Sequence, residues 1–253
     1  MIFQVISRSI QISSVAVVAV LVQTTTSFPA GAIALVTQRS DLLANDELDW
    51  GNLGFGTPVD LGTGTTFNFL PNSFQTTSEN GLGLGVDIPL AANPSITPPF
   101  VFQVSPNLPA NFGNGDFVLF TGLVPTQFPA PGNPGPITIT FNTPVQGAGT
   151  QIAVDDTRTF TAFVSAFDDN NNLLGNFSIP GTGATVIDNS AAFLGVSSES
   201  ANISKLVFSS SEPNRALGIN SLSISSVAVP ESVNPLTLGL LGLGLLAFKK
   251  KEA

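Results

Sequence analysis
The sequence predicts an all-β chain: an antiparallel β-sandwich of jelly-roll-like form with long Pro-rich loops. Three observations predict it. No long apolar stripe recurs at the helical period of about 3.6 residues in the body of the chain. Short β-prone runs recur instead, roughly every ten residues, between clusters of Gly, Pro, Asn and Asp. The 24 glycines and 19 prolines provide the turns, while a positive mean hydropathy with only 10% charged residues argues against disorder.

The first runs are "TTFNFL", "LGLGVDI", "FVFQV" and "FVLFTGL". "PITITF" follows and alternates cleanly, with Ile137, Ile139 and Phe141 on one face and Thr138 and Thr140 on the other. Then come "FTAFVSAF" (Phe160 to Phe167), "LLGNFSI" (Leu173 to Ile179), "FLGV" (Phe193 to Val196), "ISKLVFS" (Ile203 to Ser209) and "LGINSLSI" (Leu217 to Ile224). About ten strands in one domain suit a sandwich. Proline crowds the stretch from Leu90 to Pro136, which is expected to form long loops at one end of the sandwich or over an edge.

The chain holds no Cys, His or Tyr. A Ser-His-Asp or Cys-His nucleophile cannot be assembled, and a zinc site lacks its usual ligands. Acid-base chemistry would fall to carboxylates alone. Between the two ends only Arg39, Arg158, Lys205 and Arg215 are basic, so that stretch is strongly negative. It would repel phosphate backbones, which argues against nucleic acid, and would attract divalent cations.

Both ends are unlike the middle. Arg8 precedes the eight-residue apolar block Val15 to Val22, which has the length of a signal-peptide core and falls short of the roughly 20 residues of a spanning helix. Ala32 and Ala34 are the small residues a signal peptidase reads, and cleavage is expected near Ala34, with Ala32 as the alternative. The organisation predicted is a signal peptide over 1–34, one sandwich over 35–226 and a sorting segment over 227–253. In that last segment Pro230-Glu231-Ser232 leads into an apolar run from Pro235 to Phe248, read as a hydrophobic helix, and then Lys249, Lys250 and Lys251. The lysines follow the positive-inside rule and would leave the acidic body outside the cytoplasmic membrane.

This layout resembles the PEP-CTERM sorting signal of exported bacterial proteins, in which a Pro-Glu-Pro motif is recognised by an exosortase, a membrane transpeptidase. Ser232 stands where that motif has its second proline. A rival lies in the same stretch, since Asn234-Pro235-Leu236-Thr237 is similar to the N-P-x-T motif of some sortases. The body, through "DELDWGNLG", "ENGLGLGV", "NFGNGDFVLFT", "GPITITFNTPVQGAGTQIAV" and "FTAFVSAFDDNNNLLGNFSI", resembles a family of exported PEP-CTERM proteins, many of them cyanobacterial. The resemblance implies export, processing by signal peptidase and exosortase, and transient anchoring in the inner membrane. It implies no catalytic residue.

Three local groups are candidate sites. Asp168, Asn170 and Asn172 have the spacing of oxygen ligands in a Ca2+ loop, but Leu173 replaces the glycine and Ile179 the closing Glu, so a hairpin turn is the competing reading. Asp155 and Asp156 could serve a glycosidase, but adjacent strand residues point to opposite faces, and a solvated turn paired with Arg158 competes. Trp50, the only Trp, could stack on a sugar or could lie in the core beside Asp46, Glu47 and Asp49. The function expected is therefore a non-enzymatic exported protein of the cell surface or extracellular matrix, structural or adhesive, with extracellular polysaccharide as a candidate partner. A carbohydrate-binding sandwich is the alternative, and a carboxylate-dependent glycosidase stands behind it. No cofactor is expected beyond Ca2+ at the Asp168 loop.

Overall fold
Alternation of side chains along extended segments places apolar residues on one or both faces of each strand, and the sheets follow from pairing those faces. The computed structural model describes residues 32–53, 59–60, 66–125 and 128–226. The Val15 to Val22 block, the Pro230-Glu231-Ser232 motif, the Pro235 to Phe248 run and Lys249 to Lys251 lie outside the described residues. In chain order the strands are β1 (Ile33–Val36), β2 (Asp46–Leu48), β3 (Val59–Asp60), β4 (Thr66–Phe69), β5 (Ser73–Thr77), β6 (Gly83–Asp87), β7 (Phe100–Gln103) and β8 (Phe117–Phe120). Most of the longer ones follow: β9 (Ile137–Val145), β10 (Gly147–Val154), β11 (Thr159–Phe167), β12 (Leu173–Thr182), β13 (Ala192–Ser198), β14 (Ile203–Ser210), β15 (Leu217–Ile219) and β16 (Leu222–Ser225).

They form two antiparallel sheets, and the fold is a β-sandwich. The larger sheet runs β1-β13-β10-β15-β8-β7-β4-β3, with β16 and β2 as a branch; the smaller runs β12-β11-β14-β9-β6-β5. Aliphatic residues from the two inner faces fill the space between them, among them Ile137, Ile139, Val164, Leu206, Leu119, Ile152 and Leu194. Among the described residues no helix is long and apolar enough to cross a membrane.

The strands exceed the ten or so expected. β1, β2, β3 and β5 are two to five residues long, too short for a periodic signal. β10 is central to the larger sheet, yet the sequence pattern shows only its end ahead of Asp155, because Gly147 and Gly149 have low β-propensity. The run Leu217 to Ile224 breaks into β15 and β16 at Asn220 and Ser221. There the Asn220 side chain takes the place of a ladder partner, its Oδ1 accepting the Gln151 N–H at 3.0 Å.

The proline-rich loops, expected at one end of the sandwich or over an edge, pack in part on the outer face of the larger sheet. β7 and β8 are apolar on both faces: Val101 and Leu119 point into the inter-sheet core, while Phe100, Phe102, Val118 and Phe120 form a second apolar layer with Phe112 and Ala153. Leu108, Ala110 and Leu123 of the loops pack onto that layer. Two glycines make the fit possible. Gly218 lies beneath the Phe120 ring, whose Cδ2 would stand 2.7 Å from an added Cβ, and Gly122 (φ +107°) lies against the Thr97 carbonyl.

Candidate functional site
The second apolar layer is only partly filled. Between the outer face and the loops lies a cavity of about 440 Å³, within the size range of small-molecule sites. Its floor is aromatic. Phe67 meets Phe100 edge-on at 5.2 Å between ring centres, and Phe100 and Phe102 stand 5.6 and 5.7 Å from Phe120. Such offset and edge-on arrangements turn ring faces and edges toward different neighbours, giving a stiff wall. Phe112 and Leu108 close one side, and Phe128, 55% exposed, stands at the mouth.

Asp155 and Asp156 form the polar corner, at the end of β10 where the strand leaves the sheet. Their environments differ. Asp156 is 3% exposed, with Arg215 Nε donating to its Oδ2 at 2.8 Å and the Thr157 N–H to its Oδ1 at 2.7 Å. Arg158, the partner expected from sequence, is 69% exposed and 3.6 Å away. The weak pairing with Arg158 expected there is present, but Asp156 itself is buried and its closer cation, Arg215, comes from 59 positions along the chain. Arg215 also donates to the Ala130 carbonyl at 2.8 Å, and Asp155 Oδ2 accepts the Ala130 N–H at 3.0 Å. The three residues thus tie the 129–130 loop to the rim. Burial pushes the Asp155 carboxyl above the usual carboxylate range, against the pull of the Ala130 N–H and of Arg215.

Trp50 is elsewhere. It is fully buried in the inter-sheet core, and its Nε1 donates to the Asn220 carbonyl at 2.7 Å, at the break between β15 and β16. A buried indole needs such an acceptor, and the broken strand provides it. No ring face is left for a ligand, so the sugar-stacking reading of Trp50 is corrected to a core residue. Asp46 is likewise buried: its carboxylate accepts the Glu47 and Asn80 N–H groups and the Ser78 hydroxyl, pinning the turn before β6.

Asp168, Asn170 and Asn172 do come together, as the turn between β11 and β12. Asp168 Oδ1 accepts the N–H groups of Asn170 and Asn172 at 2.9 and 2.7 Å, and Oδ2 accepts Asn172 Nδ2 at 2.9 Å. Asn171 takes the left-handed conformation (φ 62°) that the turn requires. The hydrogen bonds, that from the Asn172 side chain foremost, hold the Asp168 carboxyl below its usual value. Both carboxylate oxygens are thus spent on the loop itself. Among the described residues no group of three or more acids is arranged to hold a metal ion. Of the two cleavage positions, Ala32 precedes β1, whereas Ala34 lies within it, paired with Ser197 of β13.

Sequence reasoning missed the phenylalanines of the cavity and missed Arg215. A signal for the rings was present. "FVF" and "FVLF" are apolar at every position, and a strand apolar on both faces must be covered on both. No local signal couples Arg215 to Asp156.

No protein-family model matches the chain, and no curated protein matches it. Among solved structures the chain is similar to a DUF4465 family protein from Bacteroides caccae, with 12% identity over 71% of this chain and 99% of the other, at a TM-score of 0.37. It is also similar to CsCBM6-3 from Clostridium stercorarium, solved in complex with cellobiose, with 8% identity over 72% of this chain and 93% of the other, at a TM-score of 0.22.

Proposed function
We propose that the protein is a non-enzymatic, exported binding protein of the cell surface or extracellular matrix, with the Phe-lined cavity as its ligand seat. The observation that carries this reading is the cavity itself: a preformed recess with an aromatic wall, the polar side chains of Thr97, Asn111 and Thr185, and an acidic corner at Asp155 and Asp156. Its carboxylates support binding better than catalysis. They are consecutive, Asp156 is neutralised by Arg215, and no His, Cys or Tyr exists in the chain to act beside them. The signal-peptide-like pattern of the first 34 residues and the resemblance of the tail to a PEP-CTERM signal support export and exosortase processing, and with them a structural or adhesive role.

The register of β1 bears on the processing. A cut after Ala34 would remove half of the strand that covers the edge of β13, whereas a cut after Ala32 leaves it whole. Mature protein beginning at Ile33 is therefore expected. The test is to fractionate expressing cells and measure the mature mass, with and without alanines at Pro230-Glu231. An intact C-terminus in the membrane fraction would sink the sorting reading. Carbohydrate binding is the second reading, favoured by phenylalanines that face away from the inter-sheet core. Retention on insoluble polysaccharide that is lost when Ala184 at the cavity wall becomes Phe would place it at the same seat.

A further inference from the structure
The two acids of the cavity are unequal, and the inequality has a direction. Asp156 has its cation. Arg215, which supplies it, is also committed to the Ala130 carbonyl. Asp155 accepts one backbone N–H at Oδ2, and its Oδ1 has no hydrogen-bond partner among the described residues. A half-buried carboxylate beside an aromatic wall thus keeps a free acceptor, and the Arg215 charge that attracts it is bonded to Asp156 and not to it. Taking such a charge further from water without a partner is costly.

We propose that the cavity binds a small molecule with a compact apolar body and a single ammonium group, the body against Phe100, Phe102 and Phe120 and the ammonium on Asp155. This rests on the reading of the cavity as the ligand seat and names the class of ligand. The wall suits such a ligand twice, because phenyl faces take apolar carbon and their quadrupole also attracts a cation. A neutral apolar ligand would dehydrate the Asp155 carboxylate without compensation. An anionic one would meet it head-on. A sugar could meet Asn111 and Thr185 of the lining with its hydroxyl groups, but it would leave the Asp155 carboxylate without a counter-charge. The charged groups around Asp155 are Asp156, Arg215 and the exposed Arg158, and the first two largely cancel each other. Because burial raises the Asp155 carboxyl, preference for a cation is lost on acidification at a higher pH than an ordinary carboxylate would show.

The test is calorimetric titration of the full chain with phenylbutylamine, phenylbutanol, phenylbutyrate and cellobiose. The amine is expected to bind at least about tenfold more tightly than the alcohol, a difference of about 1.4 kcal/mol. Phenylbutyrate should not bind. Asp155→Asn, which keeps an acceptor for the Ala130 N–H, should bring the amine down to the alcohol, and acidification should do the same to the unaltered protein. Ala184→Phe, which fills the cavity from its wall, should abolish both. Equal binding of amine and alcohol would overturn the ammonium assignment and leave the ligand seat standing. Binding of cellobiose alone, or of none of the four, would overturn the ligand seat and the ammonium assignment with it.

Discussion
Leu119 and Phe120 are neighbours on β8, and they face two different interiors. Leu119 points into the space between the sheets, where side chains on regular strands of the opposing sheet interdigitate with it. Phe120 points to the outer face, where the cover is a set of loops, the proline-rich ones and the 183–191 loop. Sheets can fill a gap continuously because their side chains repeat with a regular spacing. Loops cannot, since their backbone must turn to satisfy its own polar groups. The outer layer is therefore built from large rings that reach across, and it still leaves a cavity. One set of strands thus makes a sealed core on one face and a ligand-sized recess on the other.

Substitution on the two faces should separate them most. Leu119→Ala opens a void in a sealed core, and about 3 to 4 kcal/mol of stability should be lost. Phe120→Ala removes a larger side chain but only enlarges a space that already exists, and a loss of about 2 kcal/mol is expected. Urea unfolding with unchanged m-values measures both. If Phe120→Ala costs more than Leu119→Ala, the outer layer is packed as tightly as the inner one and the contrast is void.

The next effect concerns the rim of the recess. Asp156→Asn leaves Arg215 without its anion, a change of about 3 kcal/mol for a fully buried pair. Arg215 is 19% exposed and can partly rehydrate, so about 2 kcal/mol is expected. Arg158→Ala should change stability by less than about 0.5 kcal/mol, because that side chain is 69% exposed. Thermal unfolding of the two variants checks the ordering. An equal cost for both would mean that Arg158, not Arg215, holds the rim.

The same contrast explains what the sequence made legible. Inner-face residues such as Ile137, Ile139 and Phe141 alternate with threonines, so the period of two is written locally and β9 could be placed from it. On β10, tight packing against β13 selects Gly147 and Gly149, and the pattern is erased by the packing it serves. For the site, Asp155 and Asp156 were visible as an acidic pair. Their difference was not, because it is set by Ala130 and Arg215, which come from distant loops. The turn acids were easier, since all partners of Asp168 lie within four residues of it.

Two acids, one in the recess and one at a turn, should respond to pH with opposite sign. Asp168 is held below the ordinary carboxylate value in the folded chain by the Asn172 side chain and the turn N–H groups. Its contribution is present above that value and is lost as pH falls toward the folded pKa. Asp188, bonded by Ser190, behaves alike. Asp155 is raised above that ordinary value by burial, so the folded state holds its proton more tightly than the unfolded state does. Between the two pKa values stability falls as pH rises, and above them the ionised group leaves the fold destabilised. Asp155→Asn should therefore remove a penalty at neutral pH, provided that the amide keeps the Ala130 bond. Asp168→Ala should remove a gain, a small one because the turn is fully exposed. Unfolding midpoints of the two variants, measured against the unaltered protein from neutral pH down to acid, should converge on it from opposite sides. If both variants deviate in the same direction at neutral pH, burial does not govern Asp155, and the recess is wetter than its phenylalanine wall implies.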